Sequence, residues 1–175
     1  MRILGIDPGK KGGFAIYDTD WEAVSDIWDM PTYSKKVGTG KAAKDRPEID
    51  KVGLVSLFNK FGRPDMTVME LVGQRPTAPK DGQARAQSGM FEFGKGWGYV
   101  DMLLTVYKHR TEYARPQVWK KSMACPADKK EAVFRADQLL PDHRDLWRGS
   151  RGGPLDGRAE AALLALYGAT KLTLH

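Results

Sequence analysis

Near its start the chain runs Arg2–Ile6 (RILGI), stops at Asp7-Pro8-Gly9, and resumes as Gly12–Tyr17 (GGFAIY). The first run is short and apolar, as a buried strand is. Pro8 cannot donate to a ladder and Gly9 allows a sharp turn, so the two runs predict a hairpin. That hairpin carries an acid, Asp7, at the end of a buried strand, where a carboxylate is costly unless something pairs with it. A divalent cation is one such partner. A turn-capping bond to its own backbone is the other, and a lone Asp-Pro-Gly does not separate them.

The rest of the chain divides into recognisable pieces. Ala23–Trp28 alternates loosely and predicts a third strand, ended by Met30-Pro31. Ser34–Arg46 (SKKVGTGKAAKDR) has five basic residues and two glycines, with almost nothing to bury, and is expected to be a loop. Its Gly38-Thr39-Gly40-Lys41 is no phosphate loop: a Walker A motif needs Gly where Lys35 stands and Ser or Thr where Ala42 stands. The segment either faces a polyanion or is merely solvated. Pro47–Phe61 predicts a helix, with Pro47 in the first turn and Gly62 closing it. Met66–Val72 (MTVMELV) predicts a buried strand with Glu70 inside it, a residue type that strands and interiors both disfavour.

Gly73–Asp81 is a polar loop carrying Arg75 and Lys80. Gln83–His109 reads as one long helix despite Gly89, Gly94, Gly96 and Gly98. Each interior glycine costs on the order of 1 kcal/mol, so their number points to close packing against another backbone, within the fold or across a dimer. Gly94-Lys95-Gly96-Trp97-Gly98 is not a dinucleotide fingerprint, since no strand precedes it. Arg110–Arg115 predicts a strand, Gln117–Met123 a helical turn with Lys120 and Lys121, and Ala127–Leu140 a helix. From Arg115 to Arg135 there are six basic residues against two acids, which suits either a solvated helix face or a phosphate-contacting edge. Asp142–Arg158 is irregular. The last helix, Gly157–Thr170, is strongly apolar and is preceded by Asp156, with Glu160 in its first turn. The i, i+4 spacing puts both carboxylates on one face, where they serve as helix-start acids or as ligands.

The chain's length of 175 residues suits one domain, residues 1–175, with a sizeable core. The net charge of +6 favours a polyanionic partner without requiring one. Cys125 is the only cysteine, which excludes an internal disulfide and a Cys-rich zinc site and fits a reducing compartment. Met1 runs straight into the first strand, so no secretory leader is expected, and no apolar run approaches membrane-spanning length.

Four acids thus stand at element ends or in apolar surroundings: Asp7, Glu70, Asp156 and Glu160. Gathered carboxylates repel one another and want a cation. An oxygen-only ligand set selects Mg²⁺ or Mn²⁺. Two such ions about 4 Å apart suit phosphodiester hydrolysis, and a basic surface would hold the polyanion.

Gly5–Gly9 (GIDPG) followed by GGFAI resembles the opening of the RuvC-type Holliday-junction resolvases of the ribonuclease H-like superfamily. The resemblance continues through Val68–Val72 (VMELV), where Glu70 matches the second family acid, and Gly82–Gly89 (GQARAQSG). It extends through Glu112–Lys121 (EYARPQVWKK), Ala127–Val133 (ADKKEAV) and the Ala-rich Asp156–Gly168 (DGRAEAALLALYG). It implies an α/β fold with a five-stranded mixed sheet and helices on both faces. It also implies a homodimer that makes paired, Mg²⁺-dependent nicks in opposed strands of a four-way DNA junction. Asp7, Glu70, Asp156 and Glu160 would hold two Mg²⁺ (or Mn²⁺), and Lys129 would lie near the scissile phosphate. Arg75, Arg115, Lys120, Lys121 and Lys130 would contact DNA. No nucleotide cofactor and no membrane are implied, and the setting is the cytoplasm of a bacterium or a phage-infected cell.

Three departures accompany the resemblance. The family spaces its last two acids D-x-x-D, whereas Ala159 stands at the third position after Asp156 and Glu160 follows it. Asp142-His143-Arg144-Asp145 has the family spacing but no Ala-rich helix behind it. The aromatic that family members insert at the junction would fall at Gly73. Finally, Ser34–Arg46 is longer and more basic than the fold requires. Rival readings are a less selective branched-DNA or flap endonuclease and a non-catalytic junction-binding module. An actin-like ATPase, which also opens on an Asp-x-Gly turn, needs two duplicated domains that this chain is too short to hold.

Overall fold

The computed structural model describes residues 1–40, 43–71, 83–126 and 128–173, with the backbone alone for 83–88, 129, 130 and 173. Seven strands and five α-helices are described: β1 (Arg2–Asp7), β2 (Gly13–Asp18), β3 (Ala23–Asp29), β4 (Thr32–Val37), β5 (Lys44–Ile49), α1 (Lys51–Phe61), β6 (Met66–Glu70), α2 (Gln83–Val106), β7 (Thr111–Ala114), α3 (Pro116–Ser122), α4 (Lys129–Leu139) and α5 (Asp156–Thr173). A 3₁₀ helix, Pro141–Trp147, joins the last two. Five strands form one mixed sheet in the order β3-β2-β1-β6-β7. The β1–β2 and β2–β3 pairs are antiparallel, and β1–β6 and β6–β7 are parallel. This is the expected α/β, ribonuclease H-like sheet.

Alternation along the strands divides the core. Leu4, Ile6, Phe14, Ile16 and Met69 face Leu54, Phe58 and Phe61 of α1 and Val100 and Leu104 of α2. Ile3, Ala15, Tyr17 and Val68 face Trp119 of α3, Ala132 and Ala136 of α4, and Ala161, Leu164 and Ala165 of α5. Helix α5 is apolar around most of its circumference because it lies between the sheet and the outer helices. It sits unusually close to the sheet: a Cβ added at Gly5 would lie 2.1 Å from the Ala161 carbonyl oxygen. The glycine therefore lets the helix backbone rest on β1.

Three expectations are corrected. Of the expected loop Ser34–Arg46, Ser34–Val37 and Lys44–Arg46 are instead strand, in a β4–β5 ribbon paired from Thr32↔Ile49 to Val37↔Lys44. Its side chains are almost all exposed, so it lacks the buried apolar alternation by which strands are recognised; what joins its two strands is the antiparallel ladder between them. Pro47 consequently lies in β5, which it can do on an edge without a ladder donor. Helix α1 starts later, capped by Asp50, whose Oδ1 accepts from the Val52 and Gly53 amides at 3.0 Å. Helix α2 also ends before His109: Lys108 adopts φ 54°, and the His109 amide donates back to the Leu104 carbonyl at 2.9 Å.

Candidate active site

The acids meet at one end of the main sheet. Asp7 is the last residue of β1 and Glu70 the last of β6. These strands are parallel neighbours with Ile6 opposite Met69, so the next residues, Asp7 and Glu70, end side by side. Alternation puts Asp7 with Ile3 and Gly5, and Glu70 with Val68, on the face covered by α5. The start of α5 is pinned there too. Gly157 bridges to Gly12, one residue before the Gly13 that pairs with Asp7. Arg158 makes a two-pronged contact with Asp29 at the end of β3, both arms 2.7 Å. Asp156 and Glu160 are therefore delivered to the sheet end that carries Asp7 and Glu70.

Three of the four acids are nearly enclosed, with exposures of 8% for Asp7, 9% for Glu70 and 5% for Glu160. Carboxylates that deep are rare unless partnered, and the structure shows partners. Asp7 Oδ1 accepts from the Gly9 amide at 3.1 Å, so the turn-cap role is real. Glu70 Oε1 accepts from the Trp119 indole N–H at 3.0 Å, and its backbone carbonyl from the Trp97 indole at 3.1 Å. Glu160 pairs with Lys120 Nζ at 2.5 Å, and that ammonium lies 5.1 Å from the centroid of the Trp119 ring. Trp119 and Lys120, adjacent on α3, thereby link Glu70 to Glu160. Cys125 lies within reach of the same charges; burial above all pushes its thiol up, so it is a neutral, inert group.

The donor set is oxygen-only, which fits Mg²⁺ or Mn²⁺. Among the described residues, however, no three His, Cys, Asp or Glu side chains form a ready metal-binding group. The carboxylates are at one sheet end, and Asp7, Glu70 and Glu160 are engaged by protein donors.

The remaining expected residues fall as follows. Lys120, expected at the DNA backbone, turns inward to Glu160. Arg115 is exposed just before α3, and Lys121 is exposed on that helix. Lys129 and Lys130 open α4, with side chains outside the description. Arg75, Lys80 and Gly73 lie outside the described residues. Asp142 and Asp145 are exposed on the 3₁₀ helix. The intervening His143 Nε2 accepts from the Val24 amide at 3.3 Å, near the start of β3 and so toward the other end of the sheet from Asp7. Sequence reasoning missed Trp97 and Trp119. A buried indole N–H needs an acceptor, and at a tryptophan directly after Gly-Lys-Gly or beside Lys-Lys that requirement was the available signal.

No protein-family model matches the chain, and no curated protein matches it in sequence. Its fold is nonetheless shared with solved structures over nearly its whole length. It is 14% identical to T. thermophilus RuvC in complex with Holliday junction substrate, with a TM-score of 0.62, covering 99% of this chain and 96% of that one. A second T. thermophilus RuvC structure gives 16% identity and a TM-score of 0.51, covering 99% and 98%. The yeast mitochondrial Holliday junction resolvase Ydc2 gives 18% identity and a TM-score of 0.58, covering 99% and 81%. At these identities the likeness establishes the ribonuclease H-like fold.

Proposed function

We propose that this protein is a Holliday-junction resolvase, a homodimeric Mg²⁺-dependent endonuclease that makes paired symmetric nicks in four-way DNA. The observation that carries this reading is the delivery of Asp7, Glu70, Asp156 and Glu160 to one end of a sheet whose fold is that of RuvC. When bound by these carboxylates, two Mg²⁺ ions, or Mn²⁺ in their place, would supply an activated water and charge stabilisation at the departing 3′ oxygen.

The chain's own residues hold and orient. Two parallel strand ends fix Asp7 and Glu70 on rigid elements, and Trp119 fixes the Glu70 rotamer. Lys120 sets a counter-charge against Glu160 in a buried setting and fixes the position of that carboxyl group. Lys129, at the start of α4, is assigned to the charge that develops on the phosphate. Arg75, Arg115, Lys121 and Lys130 are assigned to the DNA backbone. Paired nicks require two centres, and the described part of each chain carries one such acid group. Helix α2 offers the surface for a second copy: Met90, Gly94, Gly98, Met102 and Val106 recur every four residues, and its three apolar side chains are exposed. A Cβ at Gly94 or Gly98 would meet nothing within 4 Å, so neither glycine is needed for packing around it within the described chain.

The test is cleavage of a labelled four-way junction in Mg²⁺ beside a flap and a linear duplex. Symmetric nicks confined to the junction support the reading. Equal cutting of the flap makes the protein a general branched-DNA nuclease, and tight junction binding without cutting in Mg²⁺ or Mn²⁺ makes it a binding module.

A further inference from the structure

We propose that the β4–β5 ribbon is a second DNA-binding element, a cationic arm that grips the phosphate backbone of a duplex beside the acid cluster. The inference deepens the resolvase reading and rests on it for the identity of the duplex, an arm of the junction.

The ribbon has two unlike faces. In an antiparallel pair, directly opposed residues share a face. Tyr33↔Glu48, Lys35↔Arg46 and Val37↔Lys44 are three such pairs, so one face presents Lys35, Arg46, Lys44 and the half-exposed Tyr33. The other face pairs Lys36 with Asp45, a neutralised position, Ser34 with Pro47, and Thr32 with the buried Ile49. Lys35 stands directly opposite Arg46 with Lys44 two residues beyond, and among the described residues none of the three makes an ion pair. Like charges directly opposed destabilise a ribbon, and a two-stranded ribbon in water is marginal to begin with. A polyanion lying on this face would relieve that repulsion. A two-stranded ribbon also has dimensions that DNA grooves accommodate.

The ribbon is held where such a grip is useful. It leaves β3 after Asp29, which pairs with Gly13, itself the partner of Asp7. At its root the Met30 amide donates to the Gly12 carbonyl at 3.0 Å and the Asp50 amide to the Pro31 carbonyl at 2.9 Å. Met30 and Ile49 are both buried. Above this root lies a four-charge brace. Lys10, in the turn after Asp7, contacts Glu48 at 3.4 Å and Glu92 at 3.2 Å. Lys95 contacts Glu48 at 3.0 Å and Glu92 at 2.9 Å. The brace joins the ribbon, the Asp7 turn and α2. Lys95 holds both glutamates below the usual carboxylate range and is itself raised by them. It uses up the one acid on the cationic face, Glu48, and leaves Lys35, Lys44 and Arg46 to act outward.

The test is the triple variant Lys35→Ala/Lys44→Ala/Arg46→Ala, with folding checked by circular dichroism and thermal melting. Binding to a fluorescent four-way junction and to a linear duplex is measured in EDTA from 50 to 200 mM salt. Each lost phosphate contact makes the log K against log[salt] slope shallower by about 0.9. Loss of two or more makes it shallower by about 2, so the variant's affinity deficit changes about tenfold across that range. The same change is expected on the linear duplex, since the phosphates are the same. Single-turnover cleavage of saturated junction in Mg²⁺ stays within about twofold of wild type. A folded triple variant with unchanged affinity and slope on both substrates overturns the proposal. Wild type that binds duplex but neither prefers nor cuts the junction overturns the resolvase reading instead, while the linear-duplex slope still decides the ribbon. Wild type that binds no DNA overturns both.

Discussion

Replacing Gly157 with Ala sets two physical effects against each other. Gly157 lies in the first turn of α5, where an Ala is intrinsically better by about 1 kcal/mol. An added Cβ would nevertheless lie 2.0 Å from the Lys11 carbonyl oxygen and 2.6 Å from the Gly12 Cα. Both are backbone atoms and cannot rotate away. Ordinary contact is near 3.5 Å, so the helix start must withdraw by roughly 1 to 1.5 Å. Overpacking of this kind costs about 1–3 kcal/mol, and a clash with backbone belongs at the upper end. The net expectation is a loss of about 1–2 kcal/mol. The larger consequence is chemical, because the same movement draws Asp156 and Glu160 away from Asp7 and Glu70. A misplacement of about 1 Å costs on the order of 100-fold in rate. Urea melts give the stability and single-turnover junction cleavage gives the rate. A Gly157→Ala protein that is more stable than wild type and cuts undiminished would refute the claim that this contact sets the site.

Three further outcomes follow from particular residues. Lys120→Met strips Glu160 of its counter-charge; breaking a buried pair costs about 3–5 kcal/mol, and with Lys120 partly solvated the expectation is about 2–3. Mg²⁺ should restore more stability to this variant than it adds to wild type, as read by melting with and without the ion; equal Mg²⁺ shifts would speak against an ion at Glu160. His109 is buried against Thr67, with Nδ1 3.0 Å from the hydroxyl, and burial lowers its pKa while the Gly62 backbone opposes this in part. A depressed pKa means the unfolded state takes up the proton first. Stability is therefore full above the unfolded value of about 6.5 and falls as pH drops toward the folded value, by at most about 1.4 kcal/mol per pH unit. His109→Leu should flatten the pH 7-to-5 stability profile of wild type, and an unchanged profile would assign the effect to another group. Met102→Glu places a charge on the exposed α2 stripe, so sedimentation should show the proposed dimer of the wild type shifted to monomer, with unchanged secondary structure; identical sedimentation of the two proteins would speak against α2 as the dimer surface.

Much of the fold was readable because its signals are local. The apolar runs around Asp7-Pro8-Gly9 and Glu70 marked β1, β2 and β6, and an acid in each was visible without coordinates. The β4–β5 ribbon was not, because strand patterns advertise a buried face and this ribbon has almost none. The Asp50 cap was hidden behind Pro47, a residue that suits a helix start and an edge strand alike. Within the site, residue types and spacing brought four acids to notice, but not their partners. Whether Lys120 points at phosphate or at Glu160 depends on the distance between α3 and α5, which is a tertiary fact. The same holds for Trp119, which lies 49 residues from Glu70 in the chain. The α2 glycines suggested close packing against another backbone, but among the described residues Gly96 instead makes room for a side-chain atom, Ile49 Cδ1, 2.5 Å from an added Cβ, whereas Gly94 and Gly98 face open space.

On the proposed function, the acids at the ends of β1 and β6 and the start of α5 form one metal-dependent nuclease centre. Asp7→Asn tests it most directly, since the amide keeps the size and can still accept from the Gly9 amide while removing the charge. Labelled four-way junction is incubated with wild type and variant in Mg²⁺, and junction affinity is measured beside it in EDTA. Symmetric nicks are expected from wild type and none from Asp7→Asn, with junction binding at least as tight for the variant. Cleavage by Asp7→Asn at the wild-type rate would contradict that reading.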